Sequence, residues 1–567
     1  MKLKSLLKKV RKKYGAEIEA RLTEQSVVLS GEMDDWEDIV CVGYLFVDKE
    51  RKRHVVNDIR LRGAPLRKEE VHHLDSSLDG KEYDVVIIGG GIVGLTILRE
   101  LSRYSLQLLL LEKESDVARG ASGANDGMIH PGIDLKKGTL KAEYCLAGNF
   151  MYEKLAEELD FPFKRCGQYI AYGSWKERLL SGYLLYKAKK LGIPGVKKIS
   201  REEFLKIEPE LTWAKGAIEI ACTGVTSPYE ACVAFAENAI ENGAEIALET
   251  PCLGFSVQDG KILEVITNRG RVKAKAFINA AGVFADEIAS MAGDRYYSIH
   301  ARKGSDLLFD NKLRLLNTIV SRLPSLKDRR SRTKGGALVL TCEGNILAGP
   351  DAEEVPDKND TATSVASVER VFQKHSRVLP QLKKSDIIAY FSGLRAATYE
   401  EDFIVEASKK IKNFIHVAGI QSPGLTAAPA IALDVAWMAL EILGGAERKA
   451  FKAKRKRIPR MKELAPSERM ALIAADPDFG KIICRCEEVS LGEIKAAIRS
   501  PLPAKTIDAI KRRVRAGMGR CQGGFCLPNV LKVLAEESGM DYLEVTKQGA
   551  GSEICLYPTK GSESDVL

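Results

Sequence analysis

The apolar positions of this chain fall into two rhythms. Between residue 83 and about 445, short near-continuous hydrophobic runs alternate with stretches whose apolar residues recur every three or four positions: YDVVIIGGG, then an amphipathic segment, then LQLLLLE. Runs of the first kind suit strands buried on both faces. Their alternation with helical periodicity predicts an α/β body in which crossover helices join parallel strands. Residues 1–80 read differently, as a basic helix followed by VVLSGEM and HVVNDIRL, two strand-like runs separated by a polar stretch, hence a small α+β module. A basic, proline-containing stretch over 446–480 reads as a linker, a further small unit covers 481–540, and 541–567 is a tail. No internal repeat or low-complexity tract interrupts this order.

Length sharpens the division. A chain of 567 residues exceeds the roughly 250–300 residues over which one core grows, so three or more domains are expected. With 45% hydrophobic and 29% charged residues the chain is of globular composition. The net charge of +9 is concentrated: seven Lys or Arg fall among the first thirteen residues and eight between Arg448 and Arg460, leaving the rest at −6. Each basic segment reads first as a solvated helix face or linker, with a membrane surface or an acidic partner as the alternative. Neither interleaves aromatics with its charges, so nucleic acid is not expected. No stretch approaches the roughly 20 apolar residues of a membrane span, and MKLKSLLKKVRKKYG lacks the apolar centre of an export signal. A cytoplasmic protein is expected, with membrane association open through the basic segments. In a reducing compartment, four clustered members of the twelve cysteines suggest a metal site rather than disulfides.

The strand Tyr83–Ile88 runs directly into Gly89, Gly91 and Gly94, the GxGxxG spacing, and a helix follows to about Arg103. The first glycine permits a tight turn, the second lets backbone approach a pyrophosphate, and the third lets helix pack on strand; the diphosphate then meets the positive helix N-terminus. Eighteen residues past Gly94 the next strand ends at Glu112, placed to accept hydrogen bonds from a ribose 2′-hydroxyl and to repel a 2′-phosphate. A dinucleotide site follows from this arrangement.

Further along, ARGASGANDGMIHPG after Glu112 and FIHVAGIQSPGLTAAPAIA at 414–432 resemble the sequence blocks that clasp flavin in the D-amino-acid oxidase superfamily. INAAGVFADEIA, from Ile278, resembles the strand and turn by which such folds return to the cofactor. The phrases GMIHPGID, KKGTLKAEYCLAGN, RKGSDLLFD, TKGGALV, GNILAGP, FSGLRAATYEEDFIVE and GIQSPGLTAAPA are similar to FAD-dependent glycerol-3-phosphate dehydrogenases and oxidases and to the related L-2-hydroxyglutarate oxidising enzymes. The resemblance spans 81–445. It implies a Rossmann-type FAD-binding domain with an interleaved α+β substrate domain, and FAD contacts at Ser122, Gly123, Asn125, Gly127, Gly282, Gly424, Leu425 and Thr426 besides Gly89, Gly91, Gly94 and Glu112. The module at 1–80 weakly resembles a BON module through its LSG and VNDI wording.

Oxidising a secondary alcohol on flavin requires a base near the substrate oxygen as hydride leaves carbon. Resemblance gives His130 that role, and an imidazole titrates close to working pH. A small anionic substrate also needs cations and hydroxyl donors, and resemblance assigns Lys334, Arg395 and Ser422 to that cradle. Arg395, in FSGLRA just before a polar stretch, reads as a strand-end residue facing a pocket. Glycerol 3-phosphate is the expected substrate; a 2-hydroxy or amino acid such as L-2-hydroxyglutarate would use the same cations. Asp126 and Pro131 depart from the family wording, which has a small polar residue and alanine there. A negative charge at 126 either disfavours a phosphate dianion or pairs with a cation of the cradle.

Cys484 and Cys486, then Cys521 and Cys526, give C-x-C, thirty-four intervening residues, and C-x4-C. Two close pairs can present four thiolates to one centre, as iron–sulfur clusters and structural zinc both demand; the absence of C-x2-C knuckles favours iron. ICRCEEVSLGEI and RAGMGRCQGGFC resemble the bacterioferritin-associated ferredoxin-like [2Fe–2S] domain, which implies a small helical unit. In that domain the last two cysteines are usually separated by two residues; the longer spacing here is shared with the version attached to anaerobic glycerol-3-phosphate dehydrogenases. A cluster carries electrons singly, which implies a dehydrogenase delivering to an electron-acceptor protein or quinone-linked subunit within an oligomer or complex. A flavin-and-cluster relay fed by another subunit is the remaining alternative.

Overall fold

The computed structural model describes residues 3–48, 50, 53–64, 71, 74–323 and 336–558. The flavin-type body is organised around the strand Glu82–Ile88, whose run of Val and Ile is buried on both faces. Its parallel neighbours are Leu108–Leu111 and Gly270–Asn279, and the register pairs Ile88 with Leu111 on one edge and with Asn279 on the other. Glu245–Ala247 lies outside Leu108–Leu111, and Phe414–Ala418 pairs parallel with the end of Gly270–Asn279. Three central strands thus end level with one another, and the chain turns at Gly89, where crossovers diverge to opposite sides.

Helices Ile92–Leu101, Pro228–Glu241 and Gly424–Leu443 share the main apolar core on one face of this sheet. Gly424–Leu443 is, among the described residues, the one helix long and apolar enough to cross a membrane, but its residues from Thr426 to Ala432 are all buried in that core. A second core covers the opposite face. A separate nine-stranded sheet has as its longest pair Ile299–Phe309 and Ile387–Thr398, which runs antiparallel with Arg302 opposite Arg395 and Gly304 opposite Gly393. Arg395 is therefore not at a strand end: three more strand residues follow it, because pairing with Ile299–Phe309 continues to Thr398.

In the N-terminal module Ile18–Leu22, Ser26–Met33 and His54–Leu61 form a three-stranded sheet. The stretch between the last two strands, which reads as merely polar, contains the helix Trp36–Leu45. Asp35 caps it by accepting from Asp38 N at 2.8 Å, and the helix supplies the crossover that two parallel strands require. The module is tied to the body: Ser26 Oγ donates to Tyr296 O at 2.6 Å, Asn57 Nδ2 to the Tyr399 hydroxyl at 2.8 Å, and Arg295 pairs with Asp58 at 2.7 Å.

The stretch 446–480 corrects the expectation of a solvated linker. Its cations meet buried acids on the body because helix Pro228–Glu241 turns two glutamates toward it. Arg455 pairs with Glu237 at 2.6 Å and Arg460 with Glu230, all nearly buried. The backbone is stapled too, with Lys452 O accepting from Asn238 and Asn242, and the strap then enters the helix Pro466–Ala475.

The final unit packs helices Leu491–Ile498, Ile507–Val514 and Leu527–Ser538 around its own apolar centre. It is docked rather than tethered. Arg513 bonds both oxygens of Asp116 at 2.9 and 3.0 Å, Arg512 adds a third bond at 3.1 Å, and Leu502 joins the main core of the body. Burial alone would push the Asp116 carboxyl up; the two guanidiniums reverse this and hold it below the usual range. Removing one partner of such a pair strands a buried charge at a cost of about 3–5 kcal/mol. Asp116→Ala is accordingly expected to loosen the C-terminal unit, read as a lower thermal midpoint and as faster protease release of a fragment beginning beyond residue 460; an unchanged cleavage rate would mean the clamp contributes nothing to docking.

Candidate active site

A cavity of about 1130 Å³ runs from the Gly89 turn to the face of the nine-stranded sheet. At its nucleotide end the glycines are required by contact. A Cβ on Gly94 would collide with the Gly89 carbonyl oxygen, and one on Gly89, held at φ +113°, with the Ala280 carbonyl oxygen. Gly91 presents no side chain to cap the helix Ile92–Leu101, so the start of that helix opens to the cavity with Ser122 Oγ on its first N–H. Glu112 stands beside it and accepts from Gly90 N at 2.6 Å and Glu114 N at 2.9 Å; burial, with the Glu114 charge adding to it, pushes its carboxyl up to about 7 despite those bonds. The carboxylate retains lone pairs for a ribose hydroxyl. A glycine turn at a helix start, an acid at the end of the second strand and a long cleft fit an FAD.

The loop 118–127 crosses the middle of the cavity. Ser122 Oγ accepts from Ile92 N at 2.9 Å, and the Asn125 amide spans the loop, donating to Ala121 O and accepting from Gly127 N. Gly123 and Gly127 stand behind the wall, where a Cβ would meet the Ala118 and Thr226 carbonyls. Of the expected cofactor residues, Gly89, Gly91, Glu112, Ser122, Asn125, Gly282, Gly424 and Leu425 line the cavity. Gly94, Gly123, Gly127 and Thr426 do not; they allow close packing or hold neighbours.

Thr426 shows this second role. Its hydroxyl accepts from His130 N at 2.9 Å, while Asn149 Nδ2 donates to His130 O at 2.8 Å. The His130 backbone is thus pinned on both sides, its ring lines the cavity, and no side chain among the described residues hydrogen-bonds the imidazole. Ser422 lines the same wall, and Arg395 faces it from the long strand pair. Lys334 lies outside the described residues.

Because opposite residues of an antiparallel pair share a face, Arg302, Gly304 and Asp306 stand beside Arg395 and Gly393 on one surface. Both glycines are spatially required: a Cβ on Gly304 would strike the Arg395 guanidinium and one on Gly393 the Ala124 carbonyl oxygen. Arg302 is held by carboxylates, Glu354 at 2.8 Å and Glu401 at 2.7 Å. Arg395 differs. Its two terminal nitrogens donate to the carbonyl of Asp351 at 3.2 Å, and it forms no carboxylate ion pair among the described residues. Beneath it the fully buried Asp306 is pushed well above the carboxylate range, first by burial and then by the charge of Asp126. The departure at Asp126 therefore does not simply add an anion to the cavity: its charge favours the neutral form of its neighbour. Sequence reasoning missed Arg302, Asp306, Glu401 and Tyr44 as cavity residues, although the first three fall within phrases carrying the resemblance.

The four cysteines stand as two pairs. Cys486 Sγ lies 3.6 Å from Cys521 Sγ, and the thiols of Cys484 and Cys526 are hydrogen-bonded to each other. The backbone N–H groups of Gly517 and Glu487 are directed at Cys484, and that of Phe525 at Cys521. The bond to Cys526 is the main factor holding the Cys484 thiol at about 6. Among the described residues no three His, Cys, Asp or Glu close around a single point as one metal ion would require. Two thiol pairs with inward amides fit the two irons of a [2Fe–2S] cluster, two ligands to each. Glu487, next to Cys486, bonds Arg515 at 2.8 Å, and Arg515 reaches the Tyr229 hydroxyl of the body at 3.0 Å.

The family model "FAD dependent oxidoreductase" matches residues 84–438, and "BFD-like [2Fe-2S] binding domain" matches 482–536. The chain belongs to the FAD-dependent oxidoreductase family, and it carries a [2Fe–2S] domain as well. A glycerol 3-phosphate dehydrogenase of Caloramator mitchellensis is 40% identical over 84% of this chain and 99% of its own length. The L-2-hydroxyglutarate dehydrogenase of Indibacter alkaliphilus is 25% identical over 64% of this chain and 99% of its own. Among solved structures, the dithionite-reduced, FAD-bound L-α-glycerophosphate oxidase of Mycoplasma pneumoniae superposes with a TM-score of 0.61 at 29% identity, covering 66% of this chain and 98% of that one.

Two substitutions separate the centres. Gly94→Ala should yield folded protein nearly free of FAD, since the helix must move off the strand. Cys486→Ala should remove the cluster's visible absorbance and leave the flavin spectrum in place. A Gly94→Ala protein with full flavin content would disprove the packing argument.

Proposed function

We propose that this chain oxidises the secondary hydroxyl of glycerol 3-phosphate to the ketone of dihydroxyacetone phosphate and delivers the electrons to an acceptor protein or quinone-linked subunit. The observation that carries the reading is Arg395, a guanidinium on the cavity wall with no carboxylate partner among the described residues, on the same cavity as the unengaged imidazole of His130. A phosphate dianion matches such a fork of donors. The near full-length relationship to a glycerol 3-phosphate dehydrogenase supports the same substrate.

In this reading His130 accepts the hydroxyl proton, and its pinned backbone keeps the ring at one depth in the cavity. Arg395 and Ser422 hold the anionic end, joined by Lys334. Burial and the Asp126 charge disfavour the ionised form of Asp306, which eases the approach of an anion to this wall. When bound, FAD supplies the hydride acceptor and the cluster a single-electron carrier. L-2-hydroxyglutarate is the second reading, because a carboxylate also fits Arg395 and the Indibacter alkaliphilus relative bears that name.

Anaerobic titration with glycerol 3-phosphate should bleach the flavin and then the cluster; bleaching by L-2-hydroxyglutarate alone would overturn the substrate. His130→Asn should slow flavin reduction by about 10²–10⁴-fold with little change in half-saturation. Arg395→Lys should instead raise the half-saturating substrate concentration, because an ammonium replaces the fork.

A further inference from the structure

Tyr44 is, among the described residues, the one member of the first 80 that lines the cavity. It projects from the helix Trp36–Leu45 of the N-terminal module into the sheet of the body, where its hydroxyl is the meeting point of a buried polar group. It donates to Glu401 Oε1 at 2.5 Å, receives Arg302 Nη2 at 2.7 Å and lies 3.3 Å from His300 Nε2. The ring packs edge-on against Tyr399 and His300 with centroids 5.4 and 5.6 Å away. Gly43 makes the approach feasible, since a Cβ there would run into the Tyr399 ring.

The group beneath the hydroxyl leads to the substrate wall. Glu401 accepts from Gln421 Nε2 at 2.8 Å through its other oxygen, which also lies 3.7 Å from Lys141 Nζ. Gln421 immediately precedes Ser422, and the same turn continues to Thr426, which holds His130. Glu401 itself sits at φ +58°, a region a non-glycine residue occupies only where its surroundings hold it. Burial alone would push its carboxyl up, but Arg302 outweighs that and holds it at about 2, so it stays an anion. Burial, with the Glu401 charge adding to it, pushes the Tyr44 hydroxyl up, so it stays a donor.

We infer that the N-terminal module is part of the active site, with Tyr44 as a positioning residue: its hydroxyl fixes the Arg302–Glu401–Gln421 group and thereby the Gln421–Thr426 turn that sets Ser422 and His130. The inference rests on the cavity being the substrate site proposed above. Loss of the hydroxyl leaves a buried N–H of Arg302 without its partner and Glu401 Oε1 held by Arg302 alone, and the turn they brace can then shift.

The test compares Tyr44→Phe, which keeps the ring, with Ser26→Ala, which removes a buried docking bond of the same module away from the cavity. Flavin reduction in the holoenzyme is titrated with glycerol 3-phosphate and with L-2-hydroxyglutarate, and the substrate that reduces the wild type supplies the comparison, so a wrong substrate and an idle hydroxyl give different results. Tyr44→Phe should raise the half-saturating concentration about tenfold with a smaller change in limiting rate and full flavin content. Ser26→Ala should lower the thermal midpoint and leave half-saturation alone. Equal half-saturation in Tyr44→Phe and wild type, or an equal rise in Ser26→Ala, would reduce the module to a structural cover and overturn the inference.

Discussion

The carboxylate of Asp116 is four residues past Glu112, on the loop that begins at the nucleotide end of the cavity, and two guanidiniums of the C-terminal unit close on it. That contact makes one machine of two cofactor domains. A cluster that receives electrons from a flavin must be held at a fixed place relative to it, and an apolar contact alone tolerates sliding. A charge-assisted, two-pronged bond between Arg513 and both Asp116 oxygens does not, because displacement leaves buried charge unpaired. Arg515 repeats the device two residues on, joining Glu487 beside the cysteine pairs to Tyr229 of the body.

The same physics recurs at every seam. The strap over 446–480 binds through Arg455 to Glu237 and Arg460 to Glu230, and the N-terminal module reaches the Arg302–Glu401 pair through Tyr44. Buried ion pairs add little net stability compared with apolar packing of the same volume, but they penalise every arrangement except one. Their value in this chain lies in fixing relative position. The cavity shows the complementary case: Arg302 is neutralised by two carboxylates and serves the frame, whereas its cross-strand neighbour Arg395 bonds a carbonyl and, among the described residues, no carboxylate.

How much of this was legible in the sequence follows from the range of the interactions. The central strand, its glycine turn and Glu112 are local: a buried run, a required φ and an acid at the next strand end are written within thirty residues, and the structure has them there. The four cysteines were legible as a candidate centre from their spacing, and the structure brings Cys486 to Cys521 and Cys484 to Cys526. Ser122, Gly123, Asn125, Gly127 and Thr426 were legible as a site but not by role, since several act on backbone behind the wall. The opposition of Arg302 and Arg395 depends on strand register across some ninety residues, and nothing in either phrase announces it. The basic strap misled for a related reason: a run of Lys and Arg looks solvated until the acids that face it are found on a distant helix.

Tyr44 is the extreme of that limit and explains why a small module can matter to a site it barely enters. It is 258 residues from Arg302 and 357 from Glu401, and its neighbours GYLF look like ordinary helix core. Under the module the Arg302 guanidinium is nearly shut off from water, and a buried N–H must then find a protein partner. Covering the sheet therefore created a demand that the covering element itself had to meet, and a tyrosine, apolar in its ring and polar at its tip, satisfies both the packing and the bond.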